Sequence, residues 1–327
     1  MTARRMERRT PRQLAPPDVV ALMPALDGNA LNGVGESQIR QPVEVMWTDP
    51  ATIAHGALQE YMVTRAIEQP EVMAAAIKEW REPVPVAPEK AIDSPTAWTG
   101  RIKDFALEGS PHPVELVGVT RVNPAWVFAG HEVDHPWIVV LGVAMDHAKL
   151  ATAPAYTAAV EVLAQYARGT YAARDLADWI RGQGYEAEGH GGPEAGPLQM
   201  LPHALAAGFG ELGKHGSIIN RQLGSSFRLA CVVTDLPLVA DGEDAFGADE
   251  FCAGCRVCTD ACPPGAIGPD KVLVRGVTKW YVDFDACLPY FAATHGCAVC
   301  LAVCPWSKPG AAPRLADNMM RKLARRG

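Results

Sequence analysis

The stretch "FCAGCRVCTDACPPGAI", residues 251–267, decides the reading of this chain, together with its partial echo "GCAVCLAVCPW", residues 296–306. The first holds Cys252, Cys255, Cys258 and Cys262 at spacings x2, x2 and x3, the last followed by Pro263. This run places three thiolates on one [4Fe–4S] cubane and sends the fourth, before proline, to a second cubane. The echo holds Cys297, Cys300 and Cys304, again with a proline after the last. Its expected first cysteine is missing, because position 294 is threonine, and Cys287 lies ten residues upstream of Cys297. The crossed pairing then predicts one cluster on Cys252, Cys255, Cys258 and Cys304, and a second on Cys262, Cys287, Cys297 and Cys300. Structural zinc uses four ligands in looser pairs, without an x2-x2-x3 run ending in proline. Disulfides suit secreted chains, and no secretory signal is legible here. The ninth cysteine, Cys231, stands alone in an apolar stretch and reads as a small buried hydrophobe.

Working outward, the remaining chain is far larger than a ferredoxin module. It has 327 residues, 48% hydrophobic and 20% charged, as an ordinary globular protein would. The net charge of −7 is unevenly spread. Near the start, Arg4, Arg5, Arg8, Arg9 and Arg12 face Glu7 alone, and near the end Arg314, Arg321, Lys322, Arg325 and Arg326 face Asp317 alone. The rest is strongly acidic, which argues against a nucleic-acid partner. "RRMERRTPRQLAPP" has the arginines of an export signal, but a polar, proline-rich stretch follows instead of an apolar one. The apolar run "WIVVLGVAM", residues 137–145, is too short to span a bilayer. A cytoplasmic protein with no membrane segment and with solvated basic ends is expected.

Residues 51–82 show helical periodicity broken at Pro70, and residues 83–97 read as a proline-containing linker. "VELVGVTRV" and "WIVVLGVAMD" read as buried strands. Residues 154–183 read as a long amphipathic helix stopped at Gly184. "PLQMLPHALAAGFGELGKHG" reads as a helix entering a glycine-rich turn, and "SFRLACVVTDLPL" as a strand. Strands alternating with helices indicate an α/β (α+β) fold. The expected organisation is an N-terminal extension over 1–110, an α/β domain over 111–243, a ferredoxin-like two-cluster domain over 244–310 and a basic tail over 311–327.

"AAGFGELGKHGSIINRQLGSSFRLACVVTDLPL", residues 206–238, followed by the two-cluster module and "CPWSK", resembles the cobalamin-dependent reductive dehalogenases, with the related epoxyqueuosine reductases sharing the framework. "VELVGVTRVNPAWVF", "PWIVVLGVAMD" and "DLADWIRGQGYEA" extend the likeness over about 113–308. The resemblance implies a nitroreductase-like cobalamin domain joined to the ferredoxin-like domain, base-off cobalamin without a protein ligand on cobalt, and the second cluster near the corrin. No Asp-x-His-x-x-Gly sequence occurs, which agrees with the last point but one. The family's catalytic tyrosine and arginine fall on Tyr166, nineteen residues before Tyr185, and on Arg228. A phenol is a weak acid near pKa 10, and an adjacent guanidinium stabilises its phenolate. Tyr171 is the competing tyrosine. Gly210, Lys214, His215, His295 and Gly296 are expected around the corrin.

The chain departs from the family in the loop "GHGGPEAGP", which lacks the usual Asn-Asp pair. Glu194 falls there at the spacing of the epoxyqueuosine reductases' catalytic aspartate. The export signal of respiratory dehalogenases and the fused reductase of some catabolic ones are not legible either. The leading expectation is therefore a reductase replacing halogen by hydrogen on an organohalide, with electrons from an external ferredoxin- or flavodoxin-type donor. The alternatives are an epoxyqueuosine-type reductase, against which the acidic charge counts, or another cobalamin-dependent reductase of a non-halogenated substrate, and a plain electron carrier or cobalamin-handling protein.

Overall fold

The computed structural model describes residues 14–193 and 196–325. Most of the basic N-terminal stretch, Glu194 and Arg326 lie outside the described residues. At the centre is a four-stranded sheet built from β1 (Leu116–Arg121), β2 (Trp137–Ala144), β3 (Ala187–Gly191) and, after two short strands β4 (Glu211–Leu212) and β5 (Ile218–Ile219), β6 (Phe227–Thr234). Its order is β1-β2-β6-β3. Every pairing in it is antiparallel, with Val140 opposite Cys231 and Gly189 opposite Val232. The alternation of strand and helix in the sequence suggests parallel neighbours. The structure meets that half-way: β2 and β3 run parallel and are joined by a helical crossover, but β6 slots between them in the opposite sense.

The strands alternate faces, as period-two geometry requires. Val139, Leu141, Val143, Ala230 and Val232 share one core with α5 (Pro95–Asp104) and α7 (Tyr156–Gly182). Ile138, Val140, Cys231 and Val233 share the other with α8 (Met200–Ala206). Both faces of β2 are thus covered, and its residues 138–141 are fully buried, which explains why its sequence is one continuous apolar run. Cys231 is buried in that second core and burial pushes its thiol pKa up, as befits a packing residue. Helix α7 ends where expected, with Gly184 at φ +85°, a conformation glycine adopts freely. Helix α5 places Trp98 and Ile102 in the sheet core, so that core draws on residues from the N-terminal side of the boundary expected at 110.

The rest of the N-terminal part is a strap. Short α1 (Pro17–Val20) and α2 (Gly28–Leu31) are followed by α3 (Gly56–Ile67) and α4 (Pro70–Ala76), the latter with Pro70 in its first turn. From there the chain runs extended beside α7: Arg81 pairs with Asp175 and Asp178, and the Ala87 N–H donates to the Arg181 carbonyl.

The cysteine segment follows the sheet. It comprises α9 (Ala248–Gly254), α10 (Val257–Ala261), the hairpin β7 (Val272–Val274) and β8 (Val277–Lys279), α11 (Phe284–Ala293) and α12 (Val299–Ala302). It packs on α6 (His147–Leu150) through α12, and α13 (Ala311–Ala324) closes over it. Among the described residues no helix is long and apolar enough to cross a membrane.

Candidate functional site

Helices α9 and α10 present the first cysteine run. Cys252, Cys255 and Cys258 line one cavity with Cys304, which arrives from 46 residues further along the chain, as the sequence spacing predicts. Phe251, Pro305, Trp306, Lys214 and His215 complete the lining. Burial pushes the Cys252 and Cys258 thiols up to about 12. The Lys214 N–H donates to Cys252 Sγ at 3.4 Å, and its ammonium donates to the Cys255 carbonyl at 2.8 Å.

The second set gathers beside it. Cys287 on α11 lies close enough to Cys297 and Cys262 to feel their charge, and Cys300 feels Cys297, Cys287 and Cys262. Burial again pushes Cys287 up to about 12. Cys300 also feels Cys258, so the two sets are neighbours. The Ala266 N–H donates to Cys262 Sγ at 3.3 Å. Residues 295–298 all have positive φ, from +45° at Cys297 to +111° at Gly296, a costly conformation for three non-glycine residues in a row of four. Among the described residues no group of three or more His, Cys, Asp or Glu converges tightly enough for a single metal ion. Four thiolates around zinc lie about 2.3 Å from it, whereas a cubane needs its four sulfurs spread around a larger body. Two sets of four thiols, one of them ringing a cavity, suit the latter.

Helix α7 links the second set to the expected catalytic pair. Near its start, the Tyr156 ring lies 4.8 Å from that of His295. Val162 packs against the small core of Met145, Leu150 and Leu301, against which Cys300 also packs. One turn further on comes Tyr166, where the apolar α7–sheet interface ends. Arg228 sits near the start of β6, in the same alternation as Ala230 and Val232, which face α7. Its guanidinium carbon is 5.3 Å from the centre of the Tyr166 ring. Its Nε is buried without a hydrogen-bond partner. Gly192 also abuts the Tyr166 ring, where an added Cβ would collide with ring carbons. Tyr171, by contrast, is engaged elsewhere: its hydroxyl accepts the Glu79 N–H at 2.9 Å and its ring stacks on His112.

The residues expected around a corrin divide. An added Cβ on Gly210 would strike the Ile219 carbonyl. Lys214 turns to Cys255, and His215 Nε2 lies 3.1 Å from Ser225 Oγ. These three are therefore committed to β5 and to the first cysteine set, rather than to an open chamber. His295 and Gly296 lie on the Tyr156 side of the second set, and both ring nitrogens of His295 are buried without a partner. Arg228 Nε and both ring nitrogens of His295 are thus buried polar atoms without a partner, each of which calls for one.

Sequence reasoning missed what the N-terminal strap contributes. Lys78 Nζ donates to the Gly192 carbonyl at 2.9 Å, fastening the residue that abuts Tyr166. Asn29 Oδ1 accepts from Tyr281 Oη and from the Phe284 N–H, while Asp285 accepts from the Gly28 and Asn29 N–H groups, clamping the start of α11. No motif marks such contacts, which join residues more than 100 positions apart.

Fold and sulfur geometry together define a dicluster iron–sulfur protein built onto an antiparallel sheet domain. The 4Fe-4S dicluster domain family matches residues 251–308. The tetrachloroethene reductive dehalogenase of Dehalobacter restrictus is 32% identical over 209 residues, 60% of this chain and 37% of that protein. That of Sulfurospirillum multivorans is 35% identical over 181 residues, 52% of this chain and 35% of that one. A catabolic reductive dehalogenase solved in complex with 3-bromo-4-hydroxybenzoic acid superposes with a TM-score of 0.70 at 22% identity, covering 92% of this chain and 47% of that one. An epoxyqueuosine reductase from Leadbetterella byssophila is 32% identical over 131 residues, 35% of this chain and 39% of the relative. Over 60% of its length the chain is thus similar to tetrachloroethene reductive dehalogenases, and over 35% to an epoxyqueuosine reductase. It spans little more than a third of the length of the curated dehalogenases it matches.

Proposed function

We propose that this chain is a reductive dehalogenase-like oxidoreductase acting on an organohalide. In this reading, an external one-electron donor feeds a cluster on Cys252, Cys255, Cys258 and Cys304. Cys262, Cys287, Cys297 and Cys300 would hold a second cluster, and His295, Gly296 and Arg228 would hold a cobalamin beside it. The bound cobalamin supplies a strongly reducing cobalt centre for carbon–halogen cleavage. The balance is two electrons and one proton taken up, hydrogen placed on carbon and halide released. Tyr166 holds that proton at its hydroxyl. Arg228 cannot release one, and stabilises the phenolate left behind. Gly192 and the Lys78 hydrogen bond fix the ring.

The observation that carries the reading is the meeting of Tyr166 and Arg228, 62 positions apart in sequence, one turn along α7 from Val162, which packs against the same small core as Cys300. An electron carrier has no use for a tyrosine–arginine pair there. The test is anaerobic reconstitution with iron, sulfide and cobalamin, followed by metal analysis and assays of halide release from 3-bromo-4-hydroxybenzoic acid and from tetrachloroethene. About eight irons, bound cobalamin and halide from at least one probe are expected. A chain that binds the iron but neither retains cobalamin nor releases halide is a carrier instead.

A further inference from the structure

Helix α13 is amphipathic and its two sides face different worlds. Ala312, Ala316 and Met319 are buried in one core with Cys252, Cys304 and Trp306. Arg314, Arg321, Lys322 and Arg325 are exposed on the outside, and Lys308 lies just before the helix. Asp317 is the only acid between 308 and 325. Lys322 is paired with Glu250. Arg314 and Arg321 bond only to carbonyls and an amide of their own helix or its entry, at Gly310, Asp317 and Asn318. Met320 and Leu323, 44% and 40% exposed, sit among them. On a chain of net charge −7, this is a cationic surface with an apolar centre, one helix away from the first cysteine set. Cys300 of the second set packs instead against the small core that includes Val162 of α7.

We propose that the outer face of α13 is the docking surface for an acidic one-electron carrier protein, which reduces the cluster on Cys252, Cys255, Cys258 and Cys304 across this helix. The inference rests on the dicluster reading above and adds the point of electron entry. At each encounter one electron leaves the reduced carrier and enters that cluster; no atoms are exchanged. Opposite charge raises the encounter rate and orients the carrier, and the helix keeps the separation short.

The test uses the full chain with both clusters loaded and an acidic ferredoxin as reductant, following the loss of cluster absorbance in a rapid-mixing experiment. For the native chain the rate should fall steeply with added salt. The triple variant Arg314→Glu, Arg321→Glu, Arg325→Glu should be slower by about tenfold or more at low salt and nearly flat in salt, with the corresponding glutamine variant in between. All three residues are exposed, so the fold should be retained. The photogenerated 5-deazariboflavin radical, a small uncharged reductant, should reduce every form equally fast. Equal ferredoxin rates in native and variant chains overturn the docking surface while leaving the dicluster reading intact, as does a loss that the small reductant shares. Failure of the native chain to load clusters at all removes the dicluster reading, and the docking surface with it.

Discussion

Tyr166 and Tyr171 stand five residues apart on α7, and their surroundings separate their roles. Tyr166→Phe removes the hydroxyl and keeps the ring beside Gly192 and Arg228. Iron and cobalamin contents should be unchanged and turnover should fall by roughly 10²–10⁴-fold, the usual contribution of a positioned proton donor. Tyr171→Phe removes the acceptor for the Glu79 N–H and should cost about 1 kcal/mol of stability with little loss of rate. Steady-state rates and thermal unfolding of both variants decide the matter; a slow Tyr171→Phe beside a normal Tyr166→Phe reverses the assignment. The sequence pointed to Tyr166 by counting within a likeness, and to the eight cysteines by spacing alone. It did not point to Lys78, because a single lysine in a proline-rich region has no pattern; only the folded chain brings it to Gly192.

At the scale of the element, the readable features were those with a period or a stop signal: the buried strands, α7 with its glycine, and the break at Pro70. The strand order was less readable, because β6 pairs with β2 and β3 across long stretches of chain and no local rule specifies which strand enters between two others. Helix α11 carries Cys287, proposed above as the displaced ligand. Cys287→Ala on it should lose about four of about eight irons and spare the set around Cys252. Iron analysis and the spin-resonance spectrum of the reduced protein check this; full iron content excludes Cys287 as a ligand. Helix α8 offers a pH-dependent contact away from the cysteines. The His203 Nε2 accepts the Asn123 N–H at 3.1 Å, and Nδ1 lies 2.7 Å from the Gln199 carbonyl, so the neutral ring with its proton on Nδ1 fits both. Burial lowers its pKa below the ordinary value near 6.5. The unfolded chain therefore takes up the proton first as pH falls, and the stability this contact gives is present above about pH 6.5 and lost below it. His203→Gln should flatten that part of the stability profile measured by denaturant unfolding; an unchanged slope would assign it to other groups.

Across the whole molecule, the distribution of cysteines among the cores separates two kinds of stability. The two cores on either face of the sheet contain no expected cluster ligand; Cys231 is the sole cysteine in them. The other three cores each include one or two: Cys252 and Cys304 beneath α13, Cys297 near α11 and α1, and Cys300 against α6 and α7. Emptied of iron, the thiols of these regions would surround space that no side chain fills, and packing contacts there would be lost. Metal binding in such a segment contributes directly to its folding. The cluster-free chain should therefore keep the sheet and loosen elsewhere. Hydrogen exchange measured on the loaded and the iron-free protein should show β2 and β6 protected in both. Exchange in the iron-free form should be faster in residues 248–307, in α13 and in the α3–α11 contact. The strap along α7, held by Arg81 and by the Ala87–Arg181 bond, should keep its protection. Uniform loss of protection including β2 and β6 would mean that sheet and cysteine segment unfold as one cooperative unit; no change anywhere would mean that the cysteine segment is held by its apolar contacts alone and the clusters add nothing to its stability.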